Sequence, residues 1–361
     1  MTPFVRRSDV GAPAMGRSAL VEALADAGVD WTDVQLVAVG AVGIGVSAAG
    51  QLVAQMQRTG VDAVAVENAS ATGSAAFALA THAVASGQVG LAAAVGIGSL
   101  EAVLVATQQR PRMDLRSVTG AMLPPVVFAL RAARRFHLYR EVAEDHARVV
   151  AKNLRNASQN ERAQRRTPKT VDEVLASPML AAPIVRDACC PLGDGAAAVI
   201  VGPAGTCSRE VRVLASVSGS DHWHPAAASH PDPEATARTA ETALARAGIG
   251  PADLDVVEVH DAFAVEELDY CEAIGLCGAG EAAAALAAGA FDVGGAVAVS
   301  PSGGLLARGH PGGATGLAQI VEVATQLRGG AGTRQQPGAC TGMAHMIGAG
   351  GICTVHVLGA G

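Results

Sequence analysis

The sequence has little of what would mark several classes of protein. Aromatic residues make up only 3% of its 361 residues, so no stacking surface for rings or bases is indicated. The net charge of −7 argues against a nucleic-acid partner. No apolar run is long enough to span a membrane, and the N-terminal stretch "MTPFVRRSDVGAPAMG" lacks the apolar segment of a secretory signal. These absences predict a cytoplasmic protein without a membrane span.

A motif of paired cysteines is absent as well. The seven cysteines include no Cys-x-x-Cys pair, so neither a zinc ribbon nor a redox motif is predicted, and no metal is expected. An odd number of cysteines in such a chain indicates free thiols. Glycine and apolar residues are abundant instead, with 43 glycines and 50% hydrophobic residues. This composition is typical of a tightly layered α/β protein.

The chain contains an internal repeat. The stretches "ALADAGVDWTDVQLVAVG", which includes Gly28, and "ALARAGIGPADLDVVEVH", which includes Gly248, share one order of features. Each predicts a helix closed by glycine, a turn with aspartate, and a buried strand. A looser match relates "AVAVENASATGSAAFALATHAVASG" to "AVAVSPSGGLLARGHPGGATGLAQIVEVATQLRG". We therefore predict two related halves, about 1–205 and 206–361, whose strand ends meet at one crevice.

A different kind of segment, at about 108–186, lies over the first half. It includes the basic stretch "RVVAKNLRNASQNERAQRRTPKT". This pattern fits a solvated basic helix face, which is the simpler interpretation, or a site for a phosphorylated ligand. In the second case the candidates are Arg148, Lys152, Arg155, Arg162, Arg165 and Arg166.

Four side chains are candidates for chemistry. Ser70 follows an apolar strand and precedes a small-residue helix, a place that suits either a nucleophile or a helix N-cap. His310, in "LLARGHPGGATG", and His260, at the end of "DVVEVH", each fit a structural role when taken singly, as does Cys340 in "GACTGMAHMIGAGG". We expect all four at carboxyl ends of strands in equivalent places of the two halves. A hydroxyl, two imidazoles and a thiol in one crevice form an acyl-transfer constellation.

Four ordered blocks carry a family resemblance that covers nearly the whole chain. They are "VENASATGSAAF", "HDAFAVEEL", "PSGGLLARGHPGGATG" and "CTGMAHMIGAGG". With these blocks the sequence resembles the thiolase superfamily, more narrowly its sterol-carrier-protein-type and archaeal-type members. The resemblance implies a five-layer αβαβα sandwich of two duplicated halves, with the loop domain at about 108–186. It also implies acyl-CoA or acyl-carrier thioesters as substrates, with no bound cofactor.

The resemblance also implies roles for individual residues. His310 would activate the nucleophile, and His260 would complete the site that holds the thioester oxygen. Cys340 would move the proton of the second substrate, while the backbone N–H groups of Ser70 and Gly342 would form a second oxyanion hole. The residues expected to bind substrate are Arg148, Lys152, Arg162, Arg165, Ser302 and His345.

The sequence departs from the family pattern in two places. The family nucleophile is cysteine, whereas Ser70 stands here. A thiol supplies a thiolate, but a serine hydroxyl needs His310 as a general base throughout the attack. Ser70 could therefore be an engineered trap, a natural acyl-enzyme residue, or a residue without covalent chemistry. Secondly, the family usually opens with a buried strand before a segment like "MTPF", so either the start is misassigned or the first half lacks one strand.

The sequence alone is compatible with three functions. The leading one is acyl transfer between thioesters, by Claisen condensation or its thiolytic reverse. The second is retro-aldol cleavage of a β-hydroxyacyl-CoA with an OB-fold partner, and the third is a non-catalytic subunit. The resemblance further implies a homodimer or homotetramer, with an OB-fold, zinc-ribbon companion protein as a possible partner.

Overall fold

The computed structural model describes residues 1–42, 44–100, 123–221, 233–349 and 351–361. Two sheets form its framework. The first sheet consists of β1 (Leu36–Val42), β2 (Asp62–Val66), β3 (Ala92–Gly98) and β6 (Gly195–Val201), in the order β2-β1-β3-β6. Strand β1 runs parallel to β2 and β3, and β6 runs antiparallel to β3.

The second sheet is built on the same plan. It consists of β7 (Val211–Ser220), β8 (Val256–Glu258), β9 (Ala298–Val299), β10 (Thr341–Gly348) and β11 (Ile352–Ala360), in the order β7-β11-β10-β8-β9. Read from β9, its order β9-β8-β10-β11 repeats the order β2-β1-β3-β6 of the first sheet, with the same strand directions. The internal repeat of the sequence is therefore a repeat of structure.

Helices cover both sheets and fill the space between them. Their bounds are α1 (Ala12–Ala27), α2 (Ala48–Gln55), α3 (Thr72–Ala85), α4 (Pro124–Tyr139), α5 (Ala143–Ser158), α6 (Val171–Leu175), α7 (Pro233–Ala247), α8 (Ala264–Ile274), α9 (Ala282–Ala287), α10 (Gly304–Arg308) and α11 (Gly312–Leu327). Helices α1 and α2 cover the first sheet, α7 and α8 cover the second, and α3 and α11 pack together between the sheets. The expected five-layer αβαβα sandwich is confirmed.

Burial explains the apolar runs of the central strands. Every residue of β3 is buried, because helices cover both faces of the sheet. Strand β2 is different, since most of its residues are exposed at the edge of the first sheet. The segment 123–186 contains α4, α5, α6 and a short hairpin of β4 (Met179–Ala181) and β5 (Ile184–Val185), while residues 108–122 of the predicted loop domain lie outside the described part.

Three glycines let α11 approach the first half closely. An added Cβ at Gly313 would lie 2.0 Å from the carbonyl oxygen of Ile97, at the end of β3. An added Cβ at Gly96 or Gly73 would lie 2.5 or 2.7 Å from the carbonyl oxygen of Gly313. Larger residues would push α11 away from β3 and α3. This contact brings the residues before α11 next to the residues before α3.

The two sheets differ at one edge. Among the described residues β7 has no counterpart in the first sheet, so that sheet has one strand fewer than the second. Beside its pairing with β3, the start of β6 accepts from Thr2, whose N–H donates to the Ala196 carbonyl, and the Val5 N–H donates to the Asp194 carbonyl just before the strand. A cavity of about 1460 Å³ lies along the rest of this edge, and Val199, Ile200 and Val213 contribute to its wall.

Candidate active site

Ser70 lies in a tight turn between β2 and α3. The turn is held by two side chains, because Thr72 Oγ1 accepts from the Asn68 N–H at 2.8 Å and Glu67 Oε1 accepts from the Ala69 N–H at 2.7 Å. Ala69 has a φ of +48°, a strained conformation for a residue with a side chain. The hydroxyl of Ser70 makes no capping bond to α3 and instead points to His310. A strained strand-to-helix turn of this kind presents a nucleophile.

His310 pairs with the Ser70 hydroxyl and with a threonine of the helix that follows it, α11. Its Nε2 lies 3.0 Å from Ser70 Oγ, and its Nδ1 lies 2.8 Å from Thr315 Oγ1. Thr315 donates its single hydroxyl hydrogen to the Pro311 carbonyl at 3.1 Å. Because the Thr315 oxygen is left to accept, the ring carries its proton on Nδ1, and Nε2 is free to accept from Ser70. The tautomer is the one a general base requires.

Burial keeps this base neutral. His310 is only 7% exposed, and burial lowers its pKa from 6.5 to about 3, with further lowering from His260 and Arg308. The neutral ring is therefore the dominant form at neutral pH.

His260 stands beside this pair with one nitrogen unused. The rings of His260 and His310 lie 5.6 Å apart, edge to face. Nδ1 of His260 lies 3.3 Å from Glu266 Oε1, and the same carboxylate accepts from the Phe263 N–H and the Tyr270 hydroxyl. His260 is 6% exposed, and its Nε2 has no partner among the described residues. The site therefore offers one engaged imidazole and one open, buried imidazole nitrogen.

Comparison with known proteins identifies the family to which the chain belongs. Residues 1–174 match the family model described as "Thiolase, N-terminal domain", and residues 218–359 match "Thiolase C-terminal domain-like". The chain belongs to the thiolase family. It is 34% identical to the benzoylsuccinyl-CoA thiolase subunit BbsB of Thauera aromatica, over 89% of this chain and 86% of that protein.

Other thiolase relatives span the whole chain. It is 35% identical to an acetyl-CoA acetyltransferase of Methanothermobacter thermautotrophicus, over 99% of this chain and 96% of that protein. It is 32% identical to sterol carrier protein 2 of Gallus gallus, over 99% of this chain and 70% of that protein. A solved structure described as "Ltp2-ChsH2(DUF35) aldolase" shares the fold, with a TM-score of 0.81 at 22% identity over 99% of this chain and 95% of that one. The predicted resemblance and fold class are confirmed.

The structure does not bring Cys340 to this thiolase site, which corrects the sequence prediction. The stretch after it, "TGMAHMIG", is strand β10 and not a loop, so Cys340 lies at the amino end of a strand that crosses the sheet. The N–H of Cys340 donates to Asp255 at 2.8 Å, at the start of β8. Seven steps of about 3.3 Å separate the two ends of β10, or about 23 Å. The exposed thiol of Cys340 therefore cannot move a proton at Ser70.

Gly342 is corrected for the same reason. It lies near the amino end of β10, where it pairs with Val256 and Leu358. The glycine that meets the nucleophile turn is Gly348, at the carboxyl end of β10, where an added Cβ would lie 2.4 Å from the Asn68 carbonyl oxygen.

Most of the predicted basic residues are paired with carboxylates. Arg148 pairs with Asp145 at 2.5 Å, Arg155 pairs with Asp292 at 2.5 Å, and Arg162 pairs with Glu22. Arg165 donates to the carbonyl oxygens of Cys189 and Leu306 and so joins two backbone segments. The structure favours the solvated-face interpretation for Arg148, Arg155 and Arg162.

Lys152 and Ser302 are buried under the site and do not face substrate. Lys152 Nζ lies 2.8 Å from Glu267 Oε1 and 2.6 Å from the Val299 carbonyl oxygen. Ser302 Oγ donates to Glu258 at 2.7 Å. Their prediction as substrate contacts is wrong in this structure, because neither polar group reaches the surface. They anchor the loop domain and the segment before α10 to the second sheet.

His345 is also buried, and it supports His260 from behind. Its Nδ1 accepts from the His260 backbone N–H at 3.4 Å, and its Nε2 lies 2.9 Å from Thr236 Oγ1. Burial lowers the pKa of His345 to about 3, with a further contribution from His260. The imidazole therefore positions His260 and does not contact substrate.

The sequence did not reveal the segment that holds both His260 and His310 in place. The Cys190 N–H donates to the Ala262 carbonyl at 2.8 Å, and the His310 N–H donates to the Pro191 carbonyl at 3.0 Å. Residues 189–192 thus bridge the backbones of the His260 and His310 blocks. Sequence reasoning also missed Thr315 and Glu266, although each lies within six residues of the histidine it orients. That spacing on a following helix was the available signal.

None of the helices within the described ranges is both long and apolar enough to cross a bilayer. Within the same ranges no three His, Cys, Asp or Glu side chains group so as to hold a metal ion.

Proposed function

We propose that this thiolase-family protein is an acyltransferase that takes the acyl group from acyl-CoA or acyl-carrier thioesters and holds it on Ser70. An acyl-enzyme is the step shared by thiolysis, Claisen condensation and transfer to other acceptors. The observation that carries the proposal is the 3.0 Å contact of Ser70 Oγ with His310 Nε2, in the tautomer that Thr315 selects. A nucleophile, its base and the group that orients the base form a complete activation chain.

The acylation step follows from this geometry. Ser70 Oγ attacks the thioester carbonyl while its proton passes to His310 Nε2. The tetrahedral intermediate collapses, the C–S bond breaks, and His310 returns the proton to the leaving CoA thiolate. Ser70 stands at the N-terminal end of α3, whose dipole favours the negative charge of the intermediate.

Intact-protein mass after brief incubation with acetyl-CoA and longer acyl-CoAs tests the proposal. We expect one acyl group on the native chain and on Ser70→Cys, and none on Ser70→Ala. Cys340→Ser is the matched control, because that thiol lies at the far end of β10, and it should acylate like the native chain. Absence of an adduct and of CoA release with both the native chain and Ser70→Cys would refute the proposal.

A retro-aldol lyase is the second candidate. Within the described residues no cysteine hydrogen bonds to Ser70 or His310. Cleavage of a β-hydroxyacyl-CoA needs a base and a site for the enolate, but no nucleophile. Release of an aldehyde or ketone from such a thioester, undiminished in Ser70→Ala, would favour the lyase over the acyl-enzyme.

We further propose that the chain forms at least a homodimer through the edge of the first sheet. The outer edge of β2 is unpaired among the described strands, and Val64 and the nearby Val46 are 36% and 90% exposed. Exposed edge strands pair readily with another chain. Val64→Lys should convert a dimer to a monomer in light scattering, whereas Val10→Lys, at another half-exposed valine, should not.

An OB-fold, zinc-ribbon companion and a cytoplasmic location remain predictions of the resemblance. The solved aldolase that shares the fold is described with DUF35 in its name, which supports a search for a companion of this chain. Co-expression with an OB-fold, zinc-ribbon protein, followed by co-purification, tests the companion.

A further inference from the structure

We infer that Ser70 passes its acyl group to an oxygen nucleophile, which is water for the isolated chain, so that the protein hydrolyses acyl-CoA thioesters. The inference rests on the proposed acyl-enzyme. It names the acceptor that this particular site is built to use.

The ester formed on Ser70 suits attack by oxygen. An acyl group on Ser70 is an oxoester, which is less activated toward a carbon nucleophile than the thioester of a cysteine enzyme. Attack by water or a hydroxyl on the same oxoester uses the same kind of general-base assistance by which the ester forms. The base for that chemistry is in place, since His310 Nε2 faces Ser70 Oγ at 3.0 Å.

Within the described residues no cysteine hydrogen bonds to Ser70 or His310. Cys340 lies at the far end of β10. Cys190 lies closer, with its N–H bonded to the Ala262 carbonyl. The hydrogen bond with Cys189, together with burial, raises the pKa of Cys190 well above its ordinary value. The same hydrogen bond lowers the pKa of Cys189, whose Sγ turns to the Cys190 carbonyl at 3.6 Å. Among the described residues, the side chain that contacts the Ser70 hydroxyl is thus an imidazole, which can act as the general base for attack by oxygen.

The Nε2 atom of His260 makes no hydrogen bond to any described residue. The Glu266 carboxylate accepts a hydrogen bond from Nδ1, so Nδ1 carries the proton of the neutral ring and Nε2 is an acceptor. This Nε2 is buried, has no partner among the described residues, and belongs to a ring 5.6 Å from that of His310. A water molecule that donates to it would stand beside the acyl group on Ser70.

The step balances without any further reactant. Water, held by a hydrogen bond that it donates to His260 Nε2, attacks the acyl carbon of the Ser70 ester as its other proton passes to His310 Nε2. The intermediate collapses with cleavage of the bond to Ser70 Oγ, which regains a proton from His310 Nε2. The carboxylic acid leaves with one oxygen from water, and both rings end in the forms in which they began.

The experiment follows acetyl-CoA and a longer acyl-CoA in water enriched in oxygen-18. Free CoA, carboxylic acid and 3-oxoacyl-CoA are measured for the native chain, Ser70→Ala, His260→Gln and Cys340→Ser. We expect CoA and acid in equal amounts, one heavy oxygen per acid, and no turnover above background with Ser70→Ala. His260→Gln should still acylate but deacylate about 10²-fold more slowly, because the attacking water is no longer held in position, so that its Ser70 adduct accumulates. Cys340→Ser should match the native chain.

The measurements distinguish failure of the hydrolysis inference from failure of the proposed function. If the Ser70 adduct forms and its acyl group appears in 3-oxoacyl-CoA, or remains without release of acid, the inference is wrong while the acyl-enzyme stands. If neither the native chain nor Ser70→Cys forms an adduct or releases CoA, the proposed function fails as well.

Discussion

Replacing Gly313 by alanine should move His310 away from Ser70. An added Cβ would lie 2.0 Å from the Ile97 carbonyl oxygen and 3.3 Å from that of Gly40, and both obstacles are strand backbone. Real Cβ contacts essentially never fall below 3.0 Å, so α11 has to move away from β3 by at least 1.0 Å.

The size of the effect follows from this displacement. Overpacking a tight core costs about 1–3 kcal/mol of the free energy of unfolding. The same shift lengthens the contact between His310, just before α11, and Ser70, and a misplacement of about 1 Å can slow a reaction about 10²-fold. We therefore expect Gly313→Ala to lose both stability and acylation rate.

The neighbouring glycine provides a matched control. An added Cβ at Gly312 would have Val42 Cγ2 as its nearest neighbour, at an ordinary 3.9 Å. Gly312→Ala should therefore be neutral, or up to about 1 kcal/mol more stable, because alanine is the better helix former. Urea unfolding at neutral pH measures the stability of both variants, and intact mass after timed exposure to acyl-CoA measures acylation. Equal midpoints and rates for the two variants would show the reasoning to be wrong.

Three further predictions concern single side chains. Because the pKa of His310 is about 3, the acylation rate should stay flat as the pH falls from 7.5 to 5.0, whereas a base with a pKa of 6.5 would lose about nine-tenths of the rate at pH 5.5. A stopped-flow pH profile with an acid limb near 6.5 would contradict this. Thr315→Val should lower the acylation rate about 10²-fold by freeing the His310 ring, and Thr315→Ser should restore it. Lys152→Met should cost about 3–5 kcal/mol in urea unfolding because it leaves Glu267 buried and unpaired, whereas Arg148→Ala, in an exposed pair, should cost under about 1 kcal/mol.

Ser70 and His310 were predictable as a pair because their neighbourhoods carry local signals. Ser70 follows an apolar run and precedes a small-residue helix, and His310 occupies the equivalent place in the repeated unit. The repeat alone predicts that the two meet, since related halves bring their strand ends together. The structure places them 3.0 Å apart.

The predictions for Cys340 and Lys152 are wrong for physical reasons. Nearly all of β10 is buried on both faces, so "TGMAHMIG" shows no alternation of apolar and polar residues and lacks the usual pattern of a strand. The sequence pattern therefore places Cys340 at the wrong end of β10. The prediction for Lys152 fails because its partner Glu267 lies on a distant helix, and no local pattern reveals such a pairing.

The reactive pair joins residues separated by 240 positions, one in each half. At a synthesis rate of about 5–20 residues per second, Ser70 leaves the ribosome about 12–48 seconds before His310 does. During that interval the first half carries the Ser70 hydroxyl without His310, which on the proposed mechanism leaves it unreactive toward thioesters. On that mechanism the nascent chain is not acylated before the second half has docked, and acylation reports the completion of folding.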